Sequence, residues 1–203
     1  MIYLYEHNQI INNSLIERLI QNMPKERQEK ALKYKKTIDR DFCAIGYWLL
    51  CKGLKNEYNI IENLQLDYSK YGKPSLSAYP EIHFNISHCD AGVACVVSTV
   101  ETGIDMQDIR PYNPAVARRV CTAEEMEQLE KSKNPEILFC KLWTIKESSI
   151  KMCGASLACM ENKDSADWLI SQAPGYVYMY WGENYHLCCF GTDGKIEFIR
   201  DIA

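Results

Sequence analysis

"TGIDMQDIR", Thr102 to Arg110, is the stretch on which the reading of this 203-residue chain turns. Ile104 and Met106 alternate with Asp105 and Gln107, the period-two pattern of a strand with one apolar and one polar face. It also starts a second pass through an order of elements already met once. Before it, residues 2–5 alternate as a strand, and Ser14 with Glu17 predicts a capping box opening a short helix. Pro24 stands at the first turn of a basic helix. Phe42, Ile45, Leu49, Leu50 and Leu54 recur at helical spacing within 38–58, and strand-like runs follow near 64–68, 82–87 and 93–98. After it come a capping box at Thr122 and Glu125 and a helix over 137–152 striped by Leu138, Leu142, Ile145 and Ile150. Strand-like runs at about 176–181, 185–190 and 195–199 close the chain. Each half reads strand, short helices, long helix, strands. The expectation is an α+β fold of two similar lobes, residues 1–100 and 101–203, forming a pseudo-dimer with the ligand cleft between them.

Composition narrows the class. With 47% hydrophobic residues the chain can bury one good core or two small lobes sharing an interface. A net charge of −4 argues against a nucleic-acid binder. No apolar run approaches the roughly 20 residues of a membrane span. The start, "MIYLYEHNQIINN", lacks the basic and apolar regions of a signal peptide, so a cytoplasmic protein is expected. Of the ten cysteines, Cys43, Cys51, Cys95, Cys140, Cys188 and Cys189 lie in apolar periodic segments, where a reduced thiol acts as a small hydrophobe. No C-x-x-C pair starts a zinc site.

Charge is unevenly spread. Between Lys25 and Arg40 stand Arg27, Lys30, Lys33, Lys35 and Lys36, against only Glu26, Glu29 and Asp39. This is either a solvated helix face laced with ion pairs or a patch for a phosphorylated ligand or acidic partner.

Three constellations could carry chemistry. On a strand Asp105 and Gln107 project from one face, a pair of hard oxygen ligands suited to Mg²⁺, or else a strand end closing into a polar turn. In "KLWTIKESSIKMCG", Trp143, Glu147 and Lys151 fall on one helical stripe, with Lys146 on the adjacent face. Such a stripe suits a surface Glu–Lys pair, or a Glu completing a metal site with Asp105 while Lys151 and Lys146 neutralise phosphate oxygens. In "FNISHCD", neighbouring strand residues point to opposite faces, so His88 and Cys89 make a poor catalytic dyad. A metal site would want more than the four histidines available. A phosphate-binding strand end, with Ser87 and His88 as donors, fits better, beside the plainer reading of a structural His.

Taken together, "YGKP" (71–74), "FNISH" (84–88), "GIDMQ" (103–107) and "LWTIKESSIK" (142–151) resemble the surfactin-synthetase-type 4′-phosphopantetheinyl transferases over most of the chain. The resemblance implies a Mg²⁺-dependent enzyme, with Mn²⁺ as an alternative ion. It would move the phosphopantetheine arm of coenzyme A onto a serine of an acyl or peptidyl carrier protein and release adenosine 3′,5′-bisphosphate. It implies a pseudo-dimeric fold of that type, acting as a cytoplasmic monomer. Carried over by position, Asp105, Gln107 and Glu147 would hold the metal, and Lys151 would meet the phosphates. His88, Ser87 and Lys73 would bind the 3′-phosphate region, and Arg27 and Lys30 the nucleotide phosphates. Glu147 would position or activate the serine, a role for which Glu125 is the other candidate. Gln107 stands where many members carry Glu, and Phe42 where a coenzyme-contacting Arg is usual, with Arg40 as its expected substitute. The segment after Lys151, "MCGASL", lacks a basic residue often found between its Gly and Leu. The competing readings are a coenzyme A-binding module that has lost turnover, and a thioesterase using Cys89.

Overall fold

The computed structural model of the chain describes residues 1–7, 12–61, 64–192, 194–200 and 202. Its elements run β1 (Ile2–Glu6), α1 (Asn13–Gln21), α2 (Lys25–Leu32), α3 (Thr37–Tyr58), β2 (Leu66–Tyr68), β3 (Pro74–Leu76), β4 (His83–Cys89) and β5 (Gly92–Ser98). Then follow β6 (Gly103–Asp108), α4 (Pro114–Val120), α5 (Ala123–Lys131), α6 (Pro135–Cys153), a 3₁₀ turn (Leu157–Asn162), α7 (Ala166–Ser171), β7 (Tyr176–Trp181), β8 (Tyr185–Thr192) and β9 (Ile196–Ile199). The two long helices and most of the strands lie where the pattern places them. Strand β3 and helices α4 and α7 are additional, and α1 is capped by Asn12, whose side chain accepts the Ser14 N–H, rather than by Ser14. No described helix is long and apolar enough to cross a membrane.

One sheet has the order β4-β5-β1-β9 and a second has β6-β8-β7, with β2 and β3 a separate hairpin. Strand alternation divides the apolar side chains between three cores. Tyr3, Tyr5, Val93, Cys95 and Val97 face α3, meeting Ile45, Leu49, Leu50 and Leu54. Ile2, Leu4, Ala94 and Val96 point the other way and meet Ile104, Met106, Leu187 and Cys189 of the second sheet. Cys188 and Phe190 then pack on Leu142 and Ile145 of α6. The result is a layered stack of helix, sheet, sheet and helix. Both long helices stop at a left-handed residue, Asn59 at φ 57° and Gly154 at φ 61°, the usual device for ending a helix.

The last strand does not stay with its own half. β9 pairs in parallel with β1, from Ile2 beside Ile196 to Tyr5 beside Ile199, and so completes the first sheet. None of the ten cysteines is in a disulfide.

Candidate active site

The second half supplies a carboxylate pair. Asp105 stands on β6 and Glu147 on α6, and the two elements touch because residue 103 is glycine. A Cβ at Gly103 would overlap the backbone of Ser148 and Met152, so only glycine lets the helix settle this close to the strand. Lys151, one turn beyond Glu147, donates to Asp105 Oδ1 at 2.6 Å and pairs with Glu147 Oε1 at 3.3 Å. Burial opposes the Lys151 charge, but the two carboxylates outweigh it and hold the ammonium above the ordinary lysine range. Burial pushes the Asp105 carboxyl up to about 6, opposed by Lys151 and reinforced by Glu147.

The first half supplies cations. A cleft of about 520 Å³ is lined by Arg27, Lys30 and His88 from one half and by Glu147, Lys151 and Gly154 from the other. Arg27 is buried, lies over the Tyr47 ring, and leaves its Nε without a hydrogen-bond partner. Burial, and then the charge of Arg27, lower the pKa of the neighbouring Lys30 ammonium. Burial also lowers His88, whose ring packs on Phe42 with centroids 5.9 Å apart. Arg27, Lys30 and Lys151 outnumber Glu147, the one acidic residue among the described residues of the cleft lining, which makes the cleft a site for a polyanion.

The other expected site residues are placed differently. Arg40 is not at the cleft: its guanidinium grips Asp41 Oδ1 at 2.9 Å, and Phe42 forms the wall instead. Lys146 is not there either. It is 2% exposed, pairs with Glu125 Oε2 at 2.8 Å, and donates to the carbonyls of Val120 and Asp164. Glu125 in turn closes its capping box and accepts the Ala166 N–H, so both members of that pair are structural. Lys73 lines the cleft, but its ammonium donates to the Met152 carbonyl at 2.6 Å and pairs with Glu101 at 2.9 Å. Ser87 turns away from the cleft and bonds Asp105 Oδ1 at 2.8 Å. Gln107 shares a strand with Asp105 but lines a neighbouring cleft of about 260 Å³, beside Tyr112, Phe139 and Trp143. Burial and then Asp108 push the Cys89 thiol far up, which opposes the thiolate form a nucleophile needs. Sequence reasoning missed Asn85, whose Oδ1 accepts the Ile104 N–H and ties β4 to β6.

The fit of a divalent cation rests on the donors. Among the described residues no three His, Cys, Asp or Glu side chains gather as a metal site. The carboxylate pair nevertheless suits one: Asp105 Oδ2 is buried and accepts no hydrogen bond, beside a second carboxylate. A buried acceptor left without a donor is costly, and a hard cation is the partner that carboxylate oxygens favour.

Comparison with known proteins agrees. Residues 101–196 match the 4′-phosphopantetheinyl transferase superfamily. The chain is 33% identical over 160 residues to the 4′-phosphopantetheinyl transferase gsp of Aneurinibacillus migulanus, covering 77% of this chain and 66% of that protein. It is 30% identical over 146 residues to a 4′-phosphopantetheinyl transferase of Bacillus subtilis, covering 70% and 65%. It is 31% identical over 106 residues to the 4′-phosphopantetheinyl transferase AcpT of Salmonella typhimurium, covering 50% and 55%. The matches thus span just under two thirds of the two longer-matching relatives. The chain belongs to the 4′-phosphopantetheinyl transferase superfamily.

Proposed function

We propose that this protein transfers the 4′-phosphopantetheine of coenzyme A to a serine of an acyl or peptidyl carrier protein. One observation carries the reading: a single cleft is lined both by the cations Arg27 and Lys30 of the first half and by Glu147 and Lys151 of the second. Coenzyme A has the matching charge pattern, with a 3′-phosphate on the ribose and a diphosphate at the reacting end. Arg27, Lys30 and His88 bind the nucleotide phosphates, and Lys151 meets the diphosphate. Asp105 and Glu147 are the residues that would hold Mg²⁺ or Mn²⁺, while Gln107 lines the neighbouring cleft; a bound ion would neutralise the diphosphate oxygens.

In the reaction the serine oxygen bonds to the phosphorus bearing the pantetheine arm. The bond from that phosphorus to the bridging oxygen breaks, and its electron pair leaves on adenosine 3′,5′-bisphosphate. Glu147 is the carboxylate on the cleft wall to take the serine proton. Most of the acceleration comes from positioning and charge neutralisation, as for phosphoryl transfer in general. The intact cluster of Asp105, Glu147 and Lys151 speaks against a module that binds without turnover.

We read the layered stack as a pseudo-dimer of two α+β lobes, 1–100 and 101–203, in which β9 is lent to the first lobe's sheet. On this reading one chain supplies both walls of the cleft and works as a monomer. Ten unpaired thiols fit a reducing cytoplasm.

The test is intact-protein mass spectrometry of an apo carrier mixed with the protein, coenzyme A and Mg²⁺. The carrier is expected to gain one phosphopantetheine with the wild type and none with Glu147→Ala. Coenzyme A binding without any gain, across peptidyl and acyl carriers, would overturn the transferase reading.

A further inference from the structure

The Ser87 hydroxyl has one proton and two lone pairs, and all three are used inside the protein. It donates to Asp105 Oδ1 at 2.8 Å, and accepts from the Met106 N–H at 3.3 Å and from Lys151 Nζ at 3.1 Å. Lys151 donates to the same Oδ1 at 2.6 Å. Oδ1 is therefore held by two donors, while the buried Oδ2 has none. Two residues back along β4, Asn85 Oδ1 accepts the Ile104 N–H at 3.0 Å. Asn85 and Ser87 share one strand face, opposite Ile86 and His88; Asn85, Ile86 and His88 line the cleft and Ser87 does not.

Strand β6 pairs with β8. Two of its N–H groups, Ile104 and Met106, are taken up by side chains of β4, a strand of the other sheet. The spacing of two residues on each side means that this stitch has one register. A slip by one residue would present Ile86 and His88 to β6 and leave both N–H groups buried and unpaired.

We infer that Ser87 is a positioning residue for the Asp105 carboxylate, and that it acts on the cation rather than on the coenzyme. This rests on the transferase reading above and deepens it. By fixing Oδ1, Ser87 and Lys151 set the plane of the carboxylate and leave Oδ2 as the oxygen a divalent cation takes. Asn85 and Ser87 together lock β6 in register, so that the face carrying Asp105 is fixed relative to β4. Ser87 belongs to the first half and Asp105 to the second, so the metal-holding half is tuned by its neighbour.

The test separates metal from coenzyme. Mn²⁺ is titrated without coenzyme, following the free ion by electron paramagnetic resonance, and coenzyme A is titrated calorimetrically in EDTA. Ser87→Ala is expected to weaken Mn²⁺ about 10–100-fold, with coenzyme A affinity in EDTA within about twofold of wild type. Ser87→Thr, which keeps the hydroxyl, restores Mn²⁺ binding to within about threefold. Ser87→Cys, of similar size but a far weaker donor, gives the same split should Ser87→Ala not fold. Unchanged Mn²⁺ affinity in Ser87→Ala, or a coenzyme A loss of about tenfold or more in EDTA, overturns the assignment alone. A wild type that binds neither Mn²⁺ nor coenzyme A overturns it together with the transferase reading.

Discussion

Lys146 Nζ and Glu125 Oε2 stand 2.8 Å apart with almost no exposure, and each is further held by backbone. Lys146 donates to the carbonyls at the end of α4 and before α7, and Glu125 accepts the first N–H of α7 and that of Thr122. The pair thus fastens three segments to α6, one residue before Glu147.

Removing one partner strands a buried charge. Lys146→Met is expected to destabilise the protein by about 3–5 kcal/mol, read from urea unfolding, because Glu125 then sits uncompensated. A variant of wild-type stability with a raised KM for coenzyme A would return Lys146 to the phosphate-binding role.

Gly103→Ala tests the contact between β6 and α6. The added methyl meets the backbone of Ser148 and Met152, which cannot rotate away as a side chain can. A loss of about 1–3 kcal/mol is expected, together with weaker Mn²⁺ binding as Asp105 and Glu147 separate. Thermal unfolding and Mn²⁺ titration check the two halves of this, and a variant unaffected in both would contradict the packing.

Two arginines near the basic helix separate cleanly. Arg27→Ala is expected to raise the KM for coenzyme A about tenfold or more, whereas Arg40→Ala stays within about twofold because its guanidinium is spent on Asp41. Steady-state kinetics on both variants decide it, and the reverse ranking would mean that the helix rotates when ligand binds.

His186 gives a pH dependence of known sign. It is fully buried, its Nδ1 lies 2.5 Å from Thr144 Oγ1, and burial then Lys141 lower its pKa from 6.5 to about 4. Between those values the unfolded chain binds the proton and the folded one does not. Its contribution to stability is therefore full above pH 6.5 and is lost towards pH 4, by up to about 3 kcal/mol. Asp105, raised in the folded state, runs the other way over part of this window, favouring the fold below its unfolded value and less as pH rises past 6. The measurement is consequently the difference in urea stability between wild type and His186→Phe from pH 7.5 to 4.5. That difference should shrink on acidification; a flat difference would show His186 not to be held neutral.

Carrier docking is the remaining prediction. Lys33 and Lys36 are exposed beyond the cleft-lining Lys30, and carrier proteins are expected to be acidic around their serine. The double variant Lys33→Glu/Lys36→Glu should raise the carrier KM and steepen neither coenzyme binding nor salt-free stability. An unchanged carrier KM would move the docking surface elsewhere.

The order of elements was legible because period-two and period-3.6 patterns are strong in "TGIDMQ" and in both long helices. Spacing set Glu147 and Lys151 on one stripe of their helix and Asp105 on the polar face of its strand, and the resemblance to a known family supplied their grouping as a site. What sequence hid was which polar groups consume one another. Lys73 and Lys146 are cations with no local mark of their partners Glu101 and Glu125, which lie far off in the chain, while Arg40 stands directly before its partner Asp41. Ser87 was within reach. The alternation that separates His88 from Cys89 equally separates Ser87 from His88, so the two could not both face a phosphate.

The borrowed strand β9 bears on how the molecule is made. While the chain is still emerging from a ribosome, β1 and β5 can pair and α3 can cover them, but one edge of β1 stays open until the whole second half has followed. An open edge of Ile, Tyr and Leu is an invitation to a foreign strand. Cutting the gene between β5 and β6 would therefore not yield two self-sufficient pieces: the first would be left needing a short peptide carrying 196–199 to close it.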